Sequence, residues 1–362
     1  MIMTGLRGVG KTVLLNRFAE LTELAGWESI ELEASKHDET AFRQSIFSKF
    51  RAALLHISPR RRWSERARHA AEVLSSFVLS MDQSGTFSVT WDVDPSEGYG
   101  DHGDLGLDLT DVFLAVGDVA KEKETGIVLL IDEVQFLTTV QLESLIQAVH
   151  KSVQKKLPIT FVGAGLPQIA ELAGDAKSYA ERLFQFPRID SLTPEEARQA
   201  LVGPAETENV SYDEDAVDLA VNLTHGYPYF IQELGYQAWI VANGNRITAE
   251  DISIAKEAYE AKLDGSFFRV RLDRATPLQT AYMRAMAELG SEPQKAADVA
   301  SLMKRESSQV APIRSQLIDM GLLYTPQHGY AAFTVPDFDK FMMRAVPRLE
   351  VPEIHYRRRR GK

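Results

Sequence analysis

The chain has 362 residues, is 44% hydrophobic and carries a formal net charge of −11, a composition that suits two or three folded domains. It contains no cysteine, which excludes disulfides and thiolate metal sites, and its eight histidines show no ligand spacing. No run nears the ~20 apolar residues that cross a bilayer and no leader-like segment precedes the first motif, so the expectation is a cytoplasmic protein without membrane contact.

Ile2 and Met3 form an apolar strand stub. Gly5-Leu6-Arg7-Gly8-Val9-Gly10-Lys11-Thr12 then spells G-x-x-x-x-G-K-[ST]. In this pattern glycines let successive backbone N–H groups turn toward phosphate oxygens. Lys11 is placed to reach β- and γ-phosphates, and the Thr12 hydroxyl to ligate Mg²⁺. A helix opening inside the loop turns its positive end to the anion. Thr12 to Ala25 reads as that helix, with Val13, Leu14, Phe18, Leu21, Leu24 and Ala25 as its apolar face and Gly26 as its stop. The phosphate-binding set is therefore Gly5, Arg7, Gly8, Val9, Gly10, Lys11, Thr12 and Val13.

Residues 27–34 alternate as a strand, and 41–57 and 63–81 read as helices. Residues 86–93 read as a strand. Residues 94–108, rich in Gly and Asp, read as an exposed loop. Asp101, Asp104 and Asp108 in it lack the spacing of a calcium loop. Residues 109–121 are helical. Ile127–Ile131 is an apolar run suited to a central parallel strand, and it ends in Asp132-Glu133. At that strand end, where open α/β sheets bind ligands, Asp132 is placed to hold Mg²⁺ and Glu133 to orient or deprotonate a water. A helix over 140–153, a strand over 159–162 and a strand over 184–189 complete an α/β domain with a parallel sheet, residues 1–190.

From there the pattern is helical. Thr193-Pro194-Glu195-Glu196 is a helix start, and helices over 213–223, 229–242 and 249–262 make a second domain, 191–272. Residues 276–289, 295–303 and 307–320 read as three helices, followed by strands over 322–324 and 332–335. That is a winged helix-turn-helix pattern over 273–345. Lys304, Arg305, Ser308, Gln309, Arg314, Ser315 and Gln316 offer it contacts to phosphates or base edges, so residues 295–330 are a candidate DNA surface. The same fold serves as a protein-docking module. Charge favours nucleic acid only here. Residues 270–362 hold 15 Lys/Arg against 10 Asp/Glu, and residues 1–269 hold 25 against 41. Part of that excess is the tail within 346–362, Arg357-Arg358-Arg359-Arg360-Gly361-Lys362. The cluster Arg60-Arg61-Arg62 beside Trp63 reads as a solvated helix start.

Together the P-loop, the Asp132-Glu133 strand, the strand ending in Gly163-Ala164-Gly165, the helical lid and the terminal winged helix resemble the AAA+/STAND class of P-loop ATPases. Nearest in pattern are bacterial and archaeal ATPases related to the origin-recognition group. The strings IDEVQFL (131–137), VGAGLPQI (162–169), SYAERLFQF (178–186), GYPYFIQELG (226–235) and FTVPDFDKFM (333–342) carry the likeness. It implies ATP as substrate, a nucleotide-controlled switch and a possible homo-oligomer or protein partner. It also implies two roles with local alternatives. Arg182 matches the place of an arginine finger, or else pairs within its own helix. Gly226-Tyr227-Pro228 matches a lid motif whose proline, Pro228, packs near nucleotide, or else is an ordinary helix cap. The strand end at Gly163–Gly165 lacks the polar residue such proteins often place there, and the lid string lacks an arginine. Both departures imply slow hydrolysis. The resemblance further implies an adenine-holding segment upstream of Gly5, which predicts a chain shortened at its start.

Overall fold

A computed structural model describes residues 1–34, 39–79 and 93–352. The strand expected over 86–93 falls almost wholly outside these residues, as does the Arg357–Lys362 tail. The chain packs as two compact units: Met1–Gly5 with Lys11–Ile189, and Leu6–Gly10 with Asp190–Lys362.

The first unit runs β1 (Ile2–Thr4), α1 (Lys11–Leu24), β2 (Glu28–Glu33), α2 (Glu39–Ile57), α3 (Glu65–Leu79), α4 (Leu105–Glu122), β3 (Ile127–Asp132), α5 (Thr139–Gln154), β4 (Ile159–Gly165), α6 (Ile169–Ala176) and α7 (Ala180–Leu183). The four strands form one parallel sheet in the order β1-β4-β3-β2. β3 lies between two neighbours, which is why its side chains are apolar on both faces. Ile127, Leu129 and Ile131 join the large core under α2 to α5, while Val128 and Leu130 join a smaller cluster with Leu15 and Ala19 of α1.

Three expectations need correction here. The buried face of α1 is Lys11, Leu15, Ala19 and Thr22, and Val13, Leu14, Leu21 and Leu24 point outward. The sheet takes the helix stripe that places Leu15 and Ala19 against β3 and β4, and small side chains there allow close approach. Residues 184–189 are not a regular strand. They follow β1 through Ile2 N–H to the Gln185 carbonyl (2.8 Å), Thr4 N–H to Pro187 (2.9 Å) and Ile189 N–H to Thr4 (2.7 Å), but Pro187 has no N–H to continue a ladder. Asp108 is not in an exposed loop: α4 starts at Leu105, capped by Asp104, and Asp108 is fully buried in its first turn.

The second unit contains α8 (Pro194–Thr207), β5 (Ser211–Tyr212), α9 (Glu214–Thr224), α10 (Pro228–Val241), β6 (Arg246–Ile247), α11 (Ala249–Lys262) and α12 (Arg269–Leu272). Thr193 and Glu196 form the capping box that starts α8. The short parallel pair β5-β6 was not legible in the sequence, since two residues carry no period. Then come α13 (Pro277–Leu289), β7 (Gln294–Lys295), α14 (Ala296–Leu302), α15 (Ser307–Asp319), β8 (Leu323–Tyr324), β9 (Tyr330–Phe333) and α16 (Phe338–Ala345). β7, β9 and β8 make a small antiparallel sheet in that order. No described helix is long and apolar enough to cross a membrane.

Candidate functional site

The site is built where β1 and β3 end. Gly5 N–H donates to the Gly165 carbonyl at 3.1 Å, which ties the start of the loop to the end of β4. Lys11 opens α1 and is buried, its Nζ donating to the Gly5 carbonyl at 2.9 Å. The adjacent Thr12 is exposed, and its hydroxyl donates to Asp132 Oδ2 at 2.5 Å. Two residues 120 positions apart, singled out separately as Mg²⁺ ligands, thus present their oxygens at one point. Hard oxygen donors of this kind suit Mg²⁺, which takes one or two protein oxygens plus phosphates and water.

Asp132 also accepts through Oδ1 from the Glu133 N–H at 2.8 Å. Glu133 sits in the left-handed region, φ 53 and ψ 38, a conformation that costs a side-chain-bearing residue free energy and clusters at functional sites. The kink turns the chain out of β3 into a 3₁₀ turn over Val134–Phe136. Val13, named with the phosphate set, points away from the core and is 69% exposed. Arg182 lies exposed on α7, and among the described residues no ion pair to it occurs, so the alternative of a salt bridge within its own helix is not seen.

Leu6–Gly10 belongs to the second unit. Gly8 and Gly10 have φ of +89 and +92, as the loop pattern requires. Gly8 accepts from Tyr229 N–H at 3.2 Å, and a Cβ on it would meet the Tyr227 hydroxyl at 3.1 Å. Arg7 N–H donates to Thr334 at 3.2 Å. Pro228 is the first residue of α10, after Tyr227 as cap. Tyr227 is 2% exposed, and among the described residues its hydroxyl finds no hydrogen-bond partner. Burial drives its pKa upward. Arg271, which no sequence motif marks, is mostly buried. Burial first, then the Arg7 cation, lower its pKa.

Residues 1–162 match a family model described as an AAA ATPase domain. Residues 265–342 match one described as a domain of unknown function (DUF8462). Among curated proteins none matches. The Walker-type ATPase PABY2304 of Pyrococcus abyssi superposes with a TM-score of 0.57 at 16% identity, covering 94% of this chain and 90% of that one. Cdc6p from Pyrobaculum aerophilum gives 0.43 at 15% identity, over 96% and 87% of the two chains. The Aeropyrum pernix Orc1 protein in complex with DNA gives 0.42 at 16%, over 96% and 86%. The last two superpose too loosely to bear on function. Residues 1–162 thus match an AAA ATPase domain, and the first unit has the parallel-sheet fold of a P-loop core.

Proposed function

We propose that this chain binds ATP with Mg²⁺ and hydrolyses it slowly, as a nucleotide-controlled switch. The observation that carries the reading is the Thr12–Asp132 contact at 2.5 Å beside Glu133. It brings the expected metal oxygens and the expected base to one strand end. Thr12 and Asp132 would hold Mg²⁺, whose charge offsets that of the phosphates. Lys11 would hold the β- and γ-phosphates, with loop N–H groups from Gly8 to Thr12 cradling them. Glu133 would orient a water and take its proton. Arg182 is proposed as a finger reaching a second copy of the chain, and Pro228 as a lid residue near the nucleotide. Lys11→Ala should abolish ATP binding or turnover. Glu133→Gln should bind ATP and release phosphate far more slowly. Wild-type affinity and turnover in Lys11→Ala would sink the proposal.

For the C-terminal part we propose a winged helix that binds DNA. The order α13-β7-α14-α15-β8-β9, with its antiparallel sheet, supports that reading. A second reading, docking of a protein partner, is favoured by specific contacts. Arg314 donates to Thr325 Oγ1 (3.0 Å) and the Tyr330 carbonyl (2.8 Å), Arg305 donates to the Pro352 carbonyl, and Gln316 accepts from Gln279 (2.9 Å). These side chains brace the fold, which leaves fewer for phosphates. Salt-titrated DNA binding by the full chain separates the two. Binding that weakens steeply with salt supports DNA, and none at low salt supports the protein partner.

A further inference from the structure

The first unit holds a side chain that the scheme above does not use. Gln135 lies in the 3₁₀ turn after Glu133 and is half-buried. Its Oε1 accepts from the Leu166 N–H at 2.9 Å. A backbone N–H can only donate, so that bond fixes which end of the carboxamide faces β4. The other end, Nε2, then faces Glu133 and donates to its Oε2. One amide therefore spans from the backbone just past β4 to the carboxylate assigned as the base.

The end of β4 is shaped for this. Gly163-Ala164-Gly165 brings no polar side chain. A Cβ on Gly165 would lie 2.8 Å from Gln135 Oε1, closer than such contacts run. The glycine leaves the space that the amide fills. Glu133 leaves β3 with a left-handed backbone, and its peptide N–H donates to Asp132.

We propose that Gln135 is a positioning residue: its carboxamide fixes the direction of the Glu133 carboxylate and couples it to the end of β4. The proposal rests on the reading of Glu133 as the base in ATP hydrolysis. It predicts that Gln135 acts on the chemical step through Glu133 alone and leaves nucleotide binding in place. Gln135→Glu keeps the size and the acceptor for Leu166 but replaces the donor to Glu133 with a second carboxylate. Gln135→Leu removes both bonds.

The test measures ATP affinity, KM and kcat for the full chain with Mg²⁺. In both variants kcat should fall about ten- to hundredfold, the worth of one charge-assisted hydrogen bond, with affinity and KM within about twofold. Gly165→Ser should also lower kcat by pushing on Oε1. In a Glu133→Gln background, adding Gln135→Leu should change the residual rate by less than about twofold, because the base that Gln135 would position is already gone. If the wild-type chain hydrolyses ATP and both Gln135 variants keep its kcat, the assignment of Gln135 falls and the ATPase reading stands. A full further loss in the Glu133→Gln background also overturns it, since Gln135 would then act independently. If the wild-type chain binds ATP and releases no phosphate, both readings fall together.

Discussion

Asp108→Asn tests the packing that supports the sheet. Arg43 of α2 is 1% exposed and Asp108 of α4 is 0% exposed, and Nη2 approaches Oδ2 to 2.9 Å. Arg43 is also held by Glu39 at 2.9 Å, by the Phe77 carbonyl at 3.2 Å, and over the Phe77 ring at 4.8 Å. Asp108 Oδ1 accepts from the His102 N–H at 2.8 Å. The asparagine keeps shape and that acceptor, yet removes the charge facing Arg43. The gross attraction at this distance is about 6 kcal/mol at an effective dielectric of ~20, partly offset by the cost of burying the carboxylate. Breaking one side of a buried pair costs about 3–5 kcal/mol, and Glu39 remains, so a loss of about 3 kcal/mol is expected. For a unit of this size that lowers the melting temperature by about 6–12 °C. Urea unfolding in a Trp239→Phe background, followed by fluorescence, reports the first unit. The double variant Arg43→Met/Asp108→Leu should recover most of the loss, as an apolar replacement of a buried pair does. A loss below about 1 kcal/mol for Asp108→Asn, or a double variant as weak as the single, would refute the reasoning.

Other consequences can be checked in parallel. Gly226 has φ +69, and a Cβ there would lie 2.2 Å from the Leu192 carbonyl oxygen, so Gly226→Ala should cost the second unit about 3 kcal/mol in urea unfolding. A Cβ on Gly126 would lie 2.4 Å from the Trp27 ring, so Gly126→Ala should turn that indole outward and red-shift its emission. The bond from Asp111 holds the His102 pKa above its ordinary value of 6.5, with lesser help from Asp108 and Asp101. Its contribution to stability is therefore full below about pH 6.5 and lost as pH rises through the folded pKa. The effect is small because the ring is partly exposed. An NMR titration should place the His102 midpoint above 6.5, and Asp111→Asn should bring it back down.

Much of the site was readable before any fold was known. The P-loop is a local pattern in which glycine supplies positive φ beside an adjacent Lys-Thr pair. The β3 run announces its own burial because a strand covered on both faces must be apolar throughout. Helix starts such as Thr193–Glu196 are equally local, since a cap and its partner lie three residues apart. What the sequence could not yield are contacts across distance. The stripe of α1 that faces the sheet differs from the one its apolar spacing predicts, because Val13, Leu14, Leu21 and Leu24 point outward. The strand expected at 184–189 failed on Pro187. Asp108 looked like part of a solvated loop because its partner, Arg43, stands 65 positions earlier.

By itself, then, the sequence determined which groups are available: a glycine-rich loop ending in Lys-Thr, and an apolar strand ending in two carboxylates, each fixed by short-range backbone geometry. Only the tertiary structure decided their arrangement. It set Thr12 against Asp132, left a space at Gly165 for the Gln135 amide, and turned Arg305 and Arg314 inward to brace the C-terminal fold. The physical reason is that a hydrogen bond or a buried ion pair is made by groups that meet in space, and separation along the chain carries no trace of that meeting.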